Sequence, residues 1–105
     1  MSHAVHFNVY KLKKGASVSD FLLAAETLSN EEISQKKGFV SFNLMKDDET
    51  WVDMVTFETE ADLKAFEEAS QNPSEIAKHF YSFINFMAKG GKHHKLSVER
   101  SFKVE

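Results

Sequence analysis

The chain has 105 residues, 42% of them hydrophobic and ten of them phenylalanine, with a formal net charge of −3 and no cysteine. That apolar content excludes a disordered chain and fits one domain, 1–105, with a core of its own. The missing cysteines exclude disulfides and thiolate chemistry and point to the cytoplasm, while the acidic balance lacks the basic stripe that binding to nucleic acid requires.

The first element is "VHFNVYKL", residues 5–12, which alternates with period two. Val5, Phe7 and Val9 form one face, predicted as core. His6, Asn8, Tyr10 and Leu12 form the other, a mixture that suits neither a dry core nor an ordinary wet surface. After the turn "KKGA", residues 17–38 read as a helix: Ser17 is an N-cap, and Val18, Phe21, Leu22, Ala25, Leu28 and Ile33 recur at helical spacing. Gly38 can take the left-handed cap behind Lys36 and Lys37. Its apolar run "FLLAA" is far too short to span a bilayer, and the N-terminus lacks a signal-peptide pattern, so no membrane role is expected.

"FVSFNLMK" and "TWVDMVTF" then read as strands joined through the acidic turn "DDE". Val40, Phe42 and Leu44 alternate with Phe39, Ser41, Asn43 and Met45, and Trp51, Asp53, Val55 and Phe57 with Val52, Met54 and Thr56. "TEAD" begins a second helix carrying Leu63, Phe66 and Ala69 inward. "NPSE" starts another, with Asn72 as cap and Pro73 at the first helical position. That helix is predicted to bury Ile76, Phe80, Phe83, Ile84 and Met87 before "KGGK" breaks it. "HKLSVERSFKV" supplies the last strand, with Leu96, Val98, Phe102 and Val104 on its apolar face and Arg100 among them.

The order is β-α-β-β-α-β, the ferredoxin-like plan of an α+β domain: an antiparallel four-stranded sheet with helices on one side. An RNA-recognition module shares this order, but the acidic charge and the absence of exposed stacking aromatics on the first strand speak against one. The sheet's second face is too apolar to be left wet. A second copy packed face to face around a two-fold axis would cover it, so a homodimer is expected.

The stretch "KKGFVSFNLMKDDETWVDMVTFETEADLKAF" resembles the middle of the antibiotic-biosynthesis-monooxygenase-like proteins of the dimeric α/β-barrel superfamily, most sharply between Gly38 and Phe66. The resemblance implies the same fold, a dimer, and a small pocket between sheet and helices in each subunit. In the cofactor-independent oxygenases of this group, a polyphenolic substrate itself donates electrons to dioxygen, while the protein binds it, assists deprotonation and keeps the site dry. The heme-degrading relatives place an Asn before a Lys-Gly turn, a heme-ligating His on the late helix and a Trp on the helix before it. Asn8 in "NVYKLKKG" matches the first and His79 in "IAKHFYSF" the second. The Trp position falls at Phe66, so that Trp is absent.

The resulting expectation is oxidation without a cofactor, or binding, of a small aromatic or polycyclic compound. Asn8 and Tyr10 would orient it, His79 would accept its proton, and Phe66, Phe83, Trp51 and His6 would line or support the pocket. Heme held by His79 is the alternative enzyme, and a dimeric ligand-binding or stress-related module the alternative without catalysis.

Each residue also has a structural reading. Asn8 can be satisfied by backbone or water, Tyr10 can fill core, and His79 can be a half-buried residue at the border of a helix stripe. Asp53 among apolar neighbours would have a raised pKa useful to a base, yet an ion pair with Arg100 explains it more simply. His3 with His6, and His93 with His94, point to opposite strand faces, so no metal site is expected from either pair. Phe80, Phe83 and Phe86 read as core at helical spacing.

Overall fold

In the computed structural model, which describes residues 3–87 and 91–102, strand β1 (Ala4–Leu12) lies inside the sheet. It pairs antiparallel with β3 (Thr50–Phe57) on one side and with β5 (Lys92–Ser97) on the other. β2 (Phe39–Asp47) flanks β3, and a two-residue strand, β4 (Ile84–Asn85), meets β1 at Lys11 and Leu12. β5 thus holds the fourth place of the expected ferredoxin-like order.

Three helices cover one face: α1 (Val18–Glu31), α2 (Glu60–Ala69) and α3 (Glu75–Tyr81). Each begins on a hydroxyl that accepts an otherwise orphaned backbone N–H. Ser17 takes that of Asp20 at 3.2 Å, Thr59 that of Asp62 at 3.1 Å, and Ser74 that of Ala77 at 3.1 Å. Asn72 is therefore not the cap of α3; Ser74, two residues on, has the extended backbone a cap needs. The core lies between helices and sheet, where the fully buried ring of Phe21 stacks on Phe80 at 5.1 Å and meets Trp51 edge-on at 5.1 Å.

Several boundaries differ from the periodicity. α1 stops at Glu31 and a single 3-10 turn, Ile33–Gln35, carries the chain toward Gly38. Leu22 is exposed and Ala24 buried, so the inward stripe is Phe21, Ala24, Ala25 and Leu28. A β-bulge between Phe39 and Ser41 brings Phe39 beside Phe57 and Phe42 beside Val55, so Phe39, Phe42 and Leu44 all pack on the core. Simple alternation would set Phe39 against the other two. α3 ends at Tyr81, because the open edge of β1 recruits residues 83–85. The Phe83 carbonyl accepts from Lys13 N–H at 2.8 Å, and Ile84 and Asn85 pair with β1. Ile84 is still core, but Met87 is almost fully exposed.

The last strand spans Lys92–Ser97, two residues earlier than its predicted start. Residues 98–102 lie outside it, Arg100 and Phe102 are exposed, and Val104 falls outside the described residues. On β1 the two faces exchange roles. Ala4 and Tyr10 belong to the helix-covered core, so His6, Asn8 and Leu12 share that side, and Val5, Phe7 and Val9 face away from the helices. No described helix reaches the length and apolarity needed to cross a membrane.

Candidate functional site

Strand register assembles the site. Asn8 stands opposite Asp53 of β3 and also opposite His93 of β5, and antiparallel partners project side chains to the same face. The Asn8 amide donates from Nδ2 to Asp53 Oδ1 at 2.9 Å, and the Tyr10 hydroxyl donates to Asp53 Oδ2 at 2.9 Å. With both carboxylate oxygens accepting, the amide is fixed with its own oxygen toward His93, whose Nδ1 lies 2.7 Å away. The neutral imidazole must then donate Nδ1–H to that oxygen, leaving the Nε2 lone pair free. Next to it, the His6 ring lies 4.4 Å from that of His93, and His6 Nδ1 lies 2.9 Å from Glu67 Oε2 on α2. Lys95 holds the other oxygen of Glu67 at 2.9 Å.

His6, Asn8, Tyr10, Asp53 and His93 wall a cavity of about 450 Å³ together with Tyr81, Ile84, Asn85 and Phe86, while Glu67 and Lys95 lie behind His6, outside its lining. One side of it is polar, from His6 through Asn8 to Asp53; the other is aromatic and aliphatic. Asp53 is only 5% exposed. Burial pushes its carboxyl above the usual range, and the hydrogen bonds from Asn8 and Tyr10, with the nearby histidines, only partly offset that. Burial, then the Asp53 charge, pushes the Tyr10 and Tyr81 phenols up. Burial and the neighbouring His6 hold His93 below the ordinary imidazole value. Burial alone would raise Glu67, but hydrogen bonds from Lys95 and His6 outweigh it and hold that carboxyl low.

The structure brings together Asn8, Tyr10 and His6 of the expected site residues and separates the others. Trp51 is buried beneath Phe21, with the Lys46 ammonium 5.7 Å over its ring. Phe66 packs between Phe57 at 5.2 Å and the edge of His6 at 6.0 Å, behind the polar wall. His79 and Phe83, 5.2 Å apart, line an open groove against α1 with Leu23 and Thr27. His79 is exposed there and does not face Asn8, because it lies on the side of α3 that borders α1 rather than on the side above the cavity. Asp53 is satisfied by Asn8 and Tyr10; the expected pair with Arg100 does not form, since Arg100 lies beyond β5 and exposed.

Asp53, Glu67, His93 and Tyr81 complete the site without having been predicted as parts of it. His93 was legible only as one of two neighbouring histidines. The register of β5 on β1 selects it, turning His93 to the cavity and His94 to the opposite face, near Phe7.

No protein-family model matches the chain, and no curated protein matches it in sequence. Solved structures do resemble it. SnoaB, a cofactor-independent oxygenase from Streptomyces nogalater, superposes with a TM-score of 0.73 at 10% identity, over 96% of this chain and 97% of that one. A proposed antibiotic biosynthesis monooxygenase from Bacillus cereus gives 0.62 at 20% identity, over 99% and 100%. A heme-degrading protein from Mycobacterium tuberculosis gives 0.61 at 15% identity, over 98% of each chain. The chain therefore has the ferredoxin-like fold of the antibiotic-biosynthesis-monooxygenase-type proteins.

Proposed function

We propose that the cavity above Asn8 binds a small phenolic or quinol-type aromatic compound and promotes its oxidation by dioxygen without an organic or heme cofactor. The observation that carries this reading is the buried Asp53 held between the Asn8 amide and the Tyr10 hydroxyl on the wall of a half-aromatic cavity. A carboxylate whose pKa is raised by burial is a better base near neutrality than an exposed one. Asp53 takes the role first expected of His79: it accepts the phenolic proton while Asn8 and Tyr10 orient the ring oxygen, and His6 and His93 border it. The deprotonated, electron-rich ring then supplies all four electrons that dioxygen needs. One oxygen atom enters the ring and the other leaves as water, so a phenol yields a quinone and a quinol yields a hydroxylated quinone. The likeness in fold to SnoaB agrees with this chemistry.

Aerobic turnover of a quinol by chelator-treated protein, followed by oxygen uptake and quinone absorbance, is the test. Asp53→Asn and Asn8→Ala are each expected to lower kcat/KM by about 100-fold, the usual scale for a lost general base or orienting group. No turnover and no saturable quinol binding in the wild type would leave a module without catalysis. Heme held by His79 is disfavoured by geometry, since His79 and Asn8 open onto different cavities. A hemin titration should accordingly show no Soret shift that His79→Ala abolishes. We further propose that two copies pair through the face of Phe7, Val9, Val52 and Met54, which no helix among the described residues covers.

A further inference from the structure

We propose that His6, His93 and Glu67 form a binding site for one divalent transition-metal ion of the zinc class at the rim of the cavity. One nitrogen of each imidazole and a carboxylate oxygen of Glu67 lie within 4.8 Å of one another. In a tetrahedral site with bonds of about 2.1 Å, ligand atoms stand roughly 3.4 Å apart, so modest rotamer adjustment of these partly exposed side chains closes the set. Two neutral imidazoles with one carboxylate select zinc, iron(II), nickel or copper over magnesium and calcium, which take oxygen ligands. Three protein ligands from β1, β5 and α2 would leave one coordination position open.

The outer shell is what distinguishes this cluster from a chance meeting of polar groups. A metal-bound histidine characteristically donates its second N–H to a carbonyl or carboxylate, which fixes the tautomer and aims the ligating lone pair. His93 does this toward Asn8 Oδ1 at 2.7 Å, and Asn8 is in turn fixed by Asp53 at 2.9 Å. Glu67 is oriented by Lys95 through one oxygen, which leaves the other, Oε2, toward His6. The ion would replace the proton shared between His6 and Glu67. The Lys95 ammonium opposes a second cation, so it limits affinity without blocking the free oxygen. The site stands independently of the quinol reading, because ion binding needs no substrate.

The experiment is a titration of the metal-free full chain with Zn²⁺ against a chromogenic chelator, repeated with Co²⁺ by visible absorption. One ion per chain is expected. His6→Ala and His93→Ala should each weaken binding at least about 100-fold, and Asn8→Ala, which touches only the outer shell, about 10-fold. Lys95→Met should tighten it several-fold by removing the opposing charge. In the wild-type protein, the imidazole resonances of His6 and His93 should shift with Zn²⁺ while those of His79 and His94 stay in place, a readout independent of how any variant folds. Failure to bind Zn²⁺ or Co²⁺, or binding that survives loss of both His6 and His93, would overturn the proposal.

Discussion

At the scale of single residues, Asp53 and His93 oppose each other in pH dependence. Asp53 carries a raised carboxyl pKa, so the folded protein holds its proton to higher pH than the unfolded chain does. Its contribution to stability is present below the unfolded carboxylate value and is lost as pH rises through the folded one. His93 is depressed, so its contribution is present above the unfolded imidazole value and is lost as pH falls through the folded one. Thermal unfolding followed across pH should show the acid-side loss diminish in His93→Gln. The opposite slope, a decline with rising pH above the ordinary carboxylate range, should flatten in Asp53→Asn. Unchanged profiles in both variants would mean that folding shifts neither group. The sequence showed the oddity of His6, Asn8 and Tyr10 on one strand face, and that face does line a cavity. It could not show that Asp53 belongs with them, because the partner of Asn8 is set by the long-range pairing of β1 with β3, which joins residues 45 apart in the chain.

At the scale of elements, chemistry at the ends outweighed periodicity. Ser17, Thr59 and Ser74 cap their helices, and Ser74→Ala should cost about 1 kcal/mol in chemical denaturation. The entry to β2 depends on Gly38, whose φ of +80° is left-handed, and a Cβ built there would collide with the Asp62 side chain. Gly38→Ala is expected to destabilise by about 2 kcal/mol or more, from the left-handed penalty and from displacement of Asp62 out of the first turn of α2. Adding Asp62→Ala should recover only the part of the steric cost that comes from the carboxylate, because the Cβ of residue 62 still lies 2.8 Å from the added one, and should leave the backbone part, about 1 kcal/mol. Full recovery in the double variant would mean that φ at Gly38 carries no cost. The stretch from Phe83 to Met87 misled for a physical reason. Apolar residues so closely spaced satisfy helix and strand alike, and the unpaired end of β1 decides between them. The bulge at Val40 is equally silent in sequence, since it shifts the alternation without a glycine to mark it.

At the scale of the whole molecule, β1 divides its side chains between two duties. His6, Asn8 and Tyr10 furnish the cavity, while Phe7 and Val9 lie, half-buried, on the face turned away from the described helices beside Val52 and Met54 of β3. Met45 and Leu96, both more than 40% exposed, extend that face across β2 and β5. Placing an unsolvated charge in such an apolar interface costs several kcal/mol, more than most modest interfaces of this kind can absorb. Met54→Glu should therefore convert a dimer to a monomer in sedimentation velocity, with the far-ultraviolet circular dichroism unchanged. Because Asp53, its neighbour in β3, faces the opposite side, quinol affinity should change by less than about threefold in the monomer. A wild-type protein that sediments as a monomer would remove the dimer. A Met54→Glu monomer that loses the ligand would show that the partner subunit completes the cavity, so that the two faces of β1 act as one device rather than two.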